Sequence, residues 1–348
     1  MSELRVPIAE VSSVRPHSNA DRLDIAEILG WQVVVSKGSL QACDHVLYVP
    51  PDSVVPPDIS DLFGVTQYLS KGRVKAVRLR GEPSFGFAIP KEEARRVAGI
   101  AGRVLSTMHL HDNVAELFGI TKYEPPIKFT AGDAAPDLAL FPRYTDIENM
   151  RHYPALFEEG EVVVVTEKIH GTNCRVGIVE GEKLAGSHKV RRKEPTEKSD
   201  SNTYWFPWSL RSVEDMLMHY AEYYRQVVLY GEVYGKVQSL NYGLPSKLAF
   251  AAFDLLLDGK FMNAGEFRYT CEHWGVPLVP TLHVGYFDLS TIRELSEGSS
   301  QVEGAKHYRE GVVVRPLFER QDPKLGRVIL KYVGDEYLLG GKDSPGEH

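Results

Sequence analysis

Apolar and polar positions divide this chain into two blocks of different texture. From Leu4 to about Pro90, short runs such as "LRVPIAEVSSV", "RLDIAEI", "WQVVVSKG", "HVLYVPPDSVV" and "GRVKAVRLRGEPSFGFAIP" read as strands. Turn formers such as "RPHSNAD" separate them, and several short strands at similar spacing predict a small Greek-key barrel. "PKEEARRVAGIAG" follows as a short helical piece. Between about Asp112 and Phe141 the text turns Pro-, Gly- and Ala-rich with few periodic apolar residues, which predicts a linker. Beyond it, strands ("EVVVVTEK", "QVVLYGEVYG", "LAFAAFDLLLDG", "GVVVRP", "RVILKYV") alternate with helical pieces. "SLRSVEDMLMHYAEYYRQV" has apolar spacing near 3.6, with Ser209 or Ser212 as candidate caps. No internal repeat is evident, and the tail "LLGGKDSPGEH" has no apolar drive to fold.

Composition adds bounds. At 348 residues the chain can build two domains with real cores, and 43% hydrophobic with 25% charged residues excludes wholesale disorder. No basic leader precedes an apolar run and no segment has the length of a membrane span, so no membrane partner is expected. Cys43, Cys174 and Cys271 form neither a disulfide framework nor a CxxC metal site; a reducing, cytoplasmic setting fits. The net charge of −7 argues mildly against nucleic acid, but local basic runs outweigh the sum. Lys71, Arg73 and Lys75 are expected to alternate on one strand face of the barrel, as a phosphate track or as a solvated basic edge. "HKVRRK" (188–193) is the second basic run, and "NTYWFPW" (202–208) supplies aromatics for stacking or for the core.

The chemistry centres on "VVVVTEKIHGTN", residues 162–173, where an apolar strand delivers the chain into one lysine. Lysine has a pKa of about 10.4, so roughly four in ten thousand are neutral at pH 7, and a nucleophilic lysine needs neighbours that destabilise its ammonium. Gly171 would let the backbone approach a phosphate or adopt a positive φ. A lone lysine at a strand end is ordinarily a snorkelling surface charge. Downstream, however, Glu232 ("LYGEVYG"), Phe253 with Asp254 ("FAAFDLLLDG"), Glu310 ("REGVVVRP") and Lys331 ("VILKYV") follow in one order, each polar group set in an apolar strand.

That series resembles motifs I, III, IIIa, IV and V of the covalent nucleotidyltransferases, the superfamily of ATP-dependent ligases and mRNA capping enzymes. "EKIHGTN" resembles motif I of nick-sealing RNA ligases of the RNA-ligase-2 type. "VRPHSNADRLDIAEI" followed by "GWQVVVSKG" resembles the OB fold of tRNA-binding domains, and an OB domain ahead of an RNA-ligase domain is the arrangement of the Deinococcus-type RNA ligases (RNA ligase family 5). The resemblance implies a two-domain α+β/all-β chain. An N-terminal OB-fold barrel (1–110) and a linker (111–140) precede an adenylyltransferase domain of antiparallel sheets with flanking helices (141–348). Too little follows Lys331 to hold the further OB domain of DNA ligases and capping enzymes.

The implied activity is ATP-dependent sealing of 3′-OH/5′-phosphate nicks in an RNA-containing duplex by a monomer, through lysyl-AMP. Lys168 is the implied nucleophile. Glu310 holds Mg²⁺ or Mn²⁺, with Asn202 on a metal-bound water. Glu232 holds the ribose hydroxyls or a water, Phe253 stacks on adenine, and Lys331 touches the α-phosphate. Glu167, Ile169, Gly171 and Asn173 complete the nucleotide site, the Glu167 backbone reading the adenine amino group. His188 is nearest by count to the motif Ia arginine, leaving Lys189, Arg191 or Arg192 as alternatives for that phosphate contact. Two departures stand out: His170 replaces the aspartate of KxDG, and Val333 replaces the second lysine of KxK. The alternatives are another nucleotidyltransferase (DNA ligase or capping-like) and an inactive OB-type RNA-binding protein.

Overall fold

The computed structural model describes residues 4–124, 133–195, 202–235, 240, 242–244 and 248–340. The chain divides into two compact units, Met1–Ile127 and Lys128–His348. Among the described residues, no helix is long and apolar enough to cross a membrane.

In the first unit β1 (Ile8–Pro16), β2 (Leu23–Ile28), β3 (Trp31–Ser36), β4 (His45–Val49) and β5 (Phe87–Pro90) form an antiparallel sheet in the order β3-β2-β1-β4-β5. A register shift between Val11 and Ser13 bends β1 so that it pairs with β2 along one half and β4 along the other. The hairpin Ala76–Leu79/Glu82–Phe85 meets β3: Gln32 Nε2 donates to the Pro83 carbonyl (2.9 Å) and the Val34 N–H to Ser84 Oγ (3.0 Å). The result is a curled OB-fold barrel. Ile8, Leu47, Val49 and Ile89 fill it, together with Ala94 of α1 (Lys91–Val97) and Leu105 of α2 (Gly99–Leu105).

Two sequence expectations change here. The stretch expected to be linker from residue 111 starts inside this unit: Val114, Phe118 and Ile120 lie in its core, and Thr121–Lys122 pairs with Ser53–Val54. Three scattered apolar residues anchor it without any period to betray them. The basic residues do not alternate along one strand either. Lys71 and Gly72 both have positive φ (52° and 81°) and close a tight turn bridging Ser70 to Arg73. The hairpin strand begins only at Ala76.

Two large sheets build the second unit, beside a small two-stranded one at Gln321–Asp322 and Gly326–Arg327. In the larger, β7 (Thr172–Val179), β8 (Glu182–Ser187), β9 (Arg191–Arg192), β10 (Gln226–Gly235) and β11 (Leu248–Leu257) run in the order β9-β8-β7-β10-β11, with two-residue strands at both edges. In the smaller, β6 (Val162–Glu167), β12 (Thr281–Tyr286), β13 (Gly311–Pro316) and β14 (Leu330–Val333) run in the order β14-β13-β6-β12, with Glu148–Asn149 beside β14. Helices α3 (Arg211–Ala221) and α4 (Ala264–Trp274) cover one face of the larger sheet, packing Met216, Leu217 and Phe267 on Val176, Leu229 and Phe250. Neither serine caps α3. Its N-cap is Leu210, and Ser209 Oγ instead donates to the Phe206 carbonyl. Helix α5 (Leu289–Ser296) lays Ile292 against Val163, Val165, Val312 and Leu330 of the smaller sheet.

The uncovered faces oppose each other, with Phe253 and Tyr230 of one sheet meeting Val313 of the other and the adjoining Ile329. A buried ion cluster fastens them. Asp254 lies 3.1 Å from Arg315 and 2.6 Å from Arg327, and accepts the Tyr144 hydroxyl at 2.7 Å. A short helix, α6 (Asp335–Leu338), ends the described chain. Most of the tail expected to fray, residues 341–348, lies outside the described residues, as do residues 125–132 of the expected linker.

Candidate active site

The valines of β6 alternate as a two-sided strand requires: Val163 and Val165 enter the core of the smaller sheet, leaving Val164, Thr166 and, by continuation, Lys168 on the cleft side. The Lys168 N–H donates to the Gly311 carbonyl (2.9 Å), fixing the strand end beside Glu310. Residues 168–171 then cross from the smaller sheet into β7 of the larger one. The His170 N–H donates to the Tyr242 hydroxyl (2.8 Å), and Ile169 is buried against Tyr234 and Val279. Close packing, not a positive φ, requires the glycine at position 171. Its φ is not positive; a Cβ there would meet the Val233 carbonyl oxygen at 2.4 Å and Glu232 Cγ at 2.9 Å. The crossing is that tight, and the Gly171 N–H is thereby able to donate to the Glu232 carboxyl.

Register brings the remaining residues to the cleft. Asn173 pairs with Glu232, and Glu232 with Ala251, two positions before Phe253. Across the cleft Val313 pairs with both Thr166 and Lys331, so all three share a face. Lys168 Nζ lies 2.6 Å from Glu310 Oε1, with side-chain exposures of 27% and 13%, so the pair is sheltered yet reachable. His170 Nδ1 lies 3.5 Å from Glu310 Oε2. The Asn173 side-chain oxygen is buried without a hydrogen-bond partner among the described residues.

The electrostatics of the cluster turn on one cation and two carboxyls. Burial pulls the Lys168 ammonium down, but the charges of Glu310 and then Glu232 outweigh it and its pKa rises above the ordinary lysine value. Burial raises Glu310, yet Lys168 foremost and His170 next bring it down to about 2. At Glu232 burial wins over the pull of Lys168, and the carboxyl is pushed up to about 8. Near neutral pH the resting cluster is thus Lys168 and Glu310 as an ion pair beside a protonated Glu232.

Other candidate residues lie in different surroundings. Glu167 is buried and its carboxylate accepts the Ser300 hydroxyl (2.5 Å) and the Gln301 N–H (2.7 Å), tying down the loop that leads to Glu310. Asn202 caps the 3-10 helix Thr203–Ser209 by accepting the Tyr204 N–H (2.9 Å), and donates to Asp133 (2.7 Å). Asp133 also pairs with Arg192 (2.5 Å). His188 Nε2 contacts Asp146 Oδ1 at 3.0 Å, and Lys189 is half-buried. Arg191 pairs in register with Gly186, and Gly186 with Arg175, two positions along β7 from Asn173; Arg191 therefore shares the cleft face and Arg192 does not. In the first unit Arg73 donates to Asp52 (2.7 Å) and its guanidinium lies 3.7 Å from the centre of the Tyr123 ring.

Sequence reasoning missed Val313, which packs in one cluster with Phe253 between the sheets, and Gly311, whose φ is 147° and where an added Cβ would meet the Tyr332 carbonyl oxygen at 2.2 Å, so that only glycine fits beside Glu310. The alternation in "EGVVV" could have singled out Val313. Among the described residues no group of three or more His, Cys, Asp or Glu side chains forms a metal cage.

Residues 161–333 match the RNA ligase family model, and residues 5–91 match an OB-fold domain model. Fold and sequence together define an OB-fold domain followed by a nucleotidyltransferase domain of the ligase class. Residues 161–333 belong to the RNA ligase family, here joined to an OB-fold domain. No relative is found among curated proteins. Among solved structures it is similar to a Naegleria gruberi RNA ligase mutant with ATP and Mn (21% identity, covering 96% of this chain and 98% of that one, TM-score 0.77). A mutant of that ligase with AMP and Mn (22%, 95% and 97%, 0.78) and the ligase with PPi (21%, 96% and 98%, 0.75) share the same fold.

Proposed function

We propose that this RNA ligase uses ATP to seal 3′-OH/5′-phosphate nicks in RNA-containing duplexes, through a lysyl-AMP intermediate. The observation that carries the proposal is the Lys168–Glu310 pair at 2.6 Å with Glu232 alongside, where the sheet carrying Phe253 meets the sheet carrying Val313. The Lys168 amine, having lost its proton, forms an N–P bond to the α-phosphorus of ATP while the bond to pyrophosphate breaks. The 5′-phosphate at the nick then takes AMP from Lys168. Finally the 3′-hydroxyl attacks that phosphate, forming the phosphodiester and releasing AMP. Positioning and charge neutralisation are what a protein supplies to such steps.

Phe253 and Val313 offer apolar faces for adenine, and the unpartnered Asn173 oxygen an acceptor for a substrate donor. Glu232, protonated at rest, can donate to or accept from ribose hydroxyls. Lys331, on the face of Val313, serves the α-phosphate. A divalent cation fits the low-pKa carboxylate of Glu310, and with few protein ligands gathered here it would be held chiefly by that group, water and phosphates, in the manner of Mg²⁺ or Mn²⁺. Bound there, it would withdraw electron density from the phosphate oxygens. Asn202 could reach such an ion only through water, since both its polar groups are engaged. On the nucleic acid, Arg191 is favoured over Arg192 by its face, with His188 and Lys189 next to it and Lys71, Arg73 and Lys75 in the OB-fold unit. The free thiols Cys174 and Cys271 are buried, in keeping with a reducing cytoplasm.

The test is incubation with α-labelled ATP and Mg²⁺ or Mn²⁺, followed by nicked duplexes with RNA or DNA at the 3′-OH end. An acid-labile, alkali-stable AMP adduct and preferential sealing of the RNA-ended nick are expected. Labelling by GTP alone would favour a capping-like enzyme, equal sealing of all-DNA nicks a DNA ligase, and absence of any adduct a binding protein.

A further inference from the structure

Helix α6 reaches back to the nucleophile. The Glu297 carboxylate accepts the N–H groups of Asp335 (2.6 Å) and Glu336 (3.3 Å), Arg151 pairs with Asp335 at 2.9 Å, and the Gly334 N–H donates to the carbonyl of Glu310 itself (3.0 Å). So anchored, Tyr337 packs with Ile169, Tyr234 and Tyr242, and sets its hydroxyl 3.0 Å from His170 Nδ1. The same nitrogen faces Glu310 Oε2 at 3.5 Å, while Oε1 of that carboxylate holds Lys168 at 2.6 Å. The other ring nitrogen of His170, Nε2, is buried without a hydrogen-bond partner among the described residues. The polar contacts of the ring therefore converge on Nδ1.

We infer that Tyr337 is a positioning residue for nucleotidyl transfer: its hydroxyl orients the His170 ring, and His170 in turn holds Glu310 when Lys168 lets go. This rests on the proposed function above. Lys168 cannot attack while it serves as the ammonium partner of Glu310, so that contact must break in the reaction. A glutamate carboxyl has a broad terminal torsion and, once freed at Oε1, would swing unless Oε2 were held. An imidazole ring is equally free about χ2, and a 3.5 Å contact alone does not fix it. The Tyr337 hydroxyl supplies the missing constraint, from a segment whose backbone is bonded to Glu310. With its proton on Nδ1, the His170 ring shares one N–H between the Tyr337 oxygen (3.0 Å) and Glu310 Oε2 (3.5 Å), so that tyrosine and carboxylate are tied through a single ring nitrogen beside the reacting amine.

The test uses the full-length protein and four variants: Tyr337→Phe, His170→Ala, His170→Asn and the double variant Tyr337→Phe/His170→Ala. Tyr337→Phe keeps the ring in its apolar cluster and should leave the melting temperature and the KM for ATP within twofold or a degree or two of wild type. It should slow single-turnover adduct formation about tenfold, the loss of roughly one hydrogen bond. The double variant should be no slower than His170→Ala, because Tyr337 acts through that ring. His170→Asn, which returns an N–H near the place of Nδ1, should recover much of the rate. In protein free of metal and nucleotide, the ¹⁵N signals of the His170 ring, assigned by their loss in His170→Asn, should shift in Tyr337→Phe. A Tyr337→Phe protein with wild-type rate, or additive losses in the double variant, overturns the inference while leaving the parent function standing. Absence of adduct in wild type overturns both.

Discussion

Lys168 and Glu310 are joined by a 2.6 Å ion pair, so the candidate nucleophile rests as an ammonium held by the carboxylate assigned to the metal. A cation that competes for Glu310 would free the amine by occupying its partner. Lys168→Ala should accordingly abolish the alkali-stable AMP adduct, read by mass spectrometry of the intact protein. It should leave the circular dichroism spectrum unchanged, because β6 is held by backbone bonds and valines. An adduct in this variant would move the chemistry to another residue.

Glu232 makes stability depend on pH in a definite direction. Its carboxyl is raised from the ordinary value of 4.5 to about 8, so between these values the folded chain binds a proton that the unfolded chain has lost. The stabilisation is complete below about pH 4.5 and fades as pH climbs through 8. Melting temperatures measured from pH 5 to 9 should fall more steeply for wild type than for Glu232→Gln, which cannot ionise. Equal slopes would remove Glu232 as the cause.

Gly171→Ala tests the crossing between sheets. An added methyl meets the Val233 carbonyl oxygen at 2.4 Å, so β7 and β10 must part at the end where Asn173 faces Glu232. A loss of about 1–3 kcal/mol is expected from such overpacking, measured by urea denaturation, together with slower adduct formation. A stability equal to wild type would mean that the crossing relaxes without cost.

The basic residues of the first unit should separate by role. Lys71→Ala and Lys75→Ala should each lower the salt slope of duplex binding by about one unit if they contact phosphate. Arg73→Ala should instead lower the melting temperature, since that guanidinium is bonded to Asp52 and stacked on Tyr123. Slopes unchanged in both lysine variants would detach this turn from the nucleic acid.

Much of the architecture was legible wherever period and turn chemistry agree: the strands of the barrel, the four valines before Lys168 and the helical spacing after Trp208. Legibility failed where a single residue acts through a distant partner. Phe118 and Ile120 show no period, yet they dock on the barrel and convert expected linker into core. Lys71 and Gly72 look like part of a strand until their positive φ angles fold them into a turn. Gly171 announced a special backbone, but its actual constraint is Val233 of β10, 62 residues away in sequence (233 − 171). The contact of Tyr337 with His170 spans 167 residues and no local pattern encodes it.

The link 168–171 carries one further meaning. It joins a strand of one sheet directly to a strand of the other, with no slack: Lys168 is bonded to Gly311 on one side and Gly171 is wedged against Val233 on the other. Four residues so clamped behave as a torsion bar. Whatever changes the angle between the sheets must twist the bar and turn the Lys168 side chain with it. The aim of the lysine and the angle between the two sheets are, in this chain, one variable rather than two.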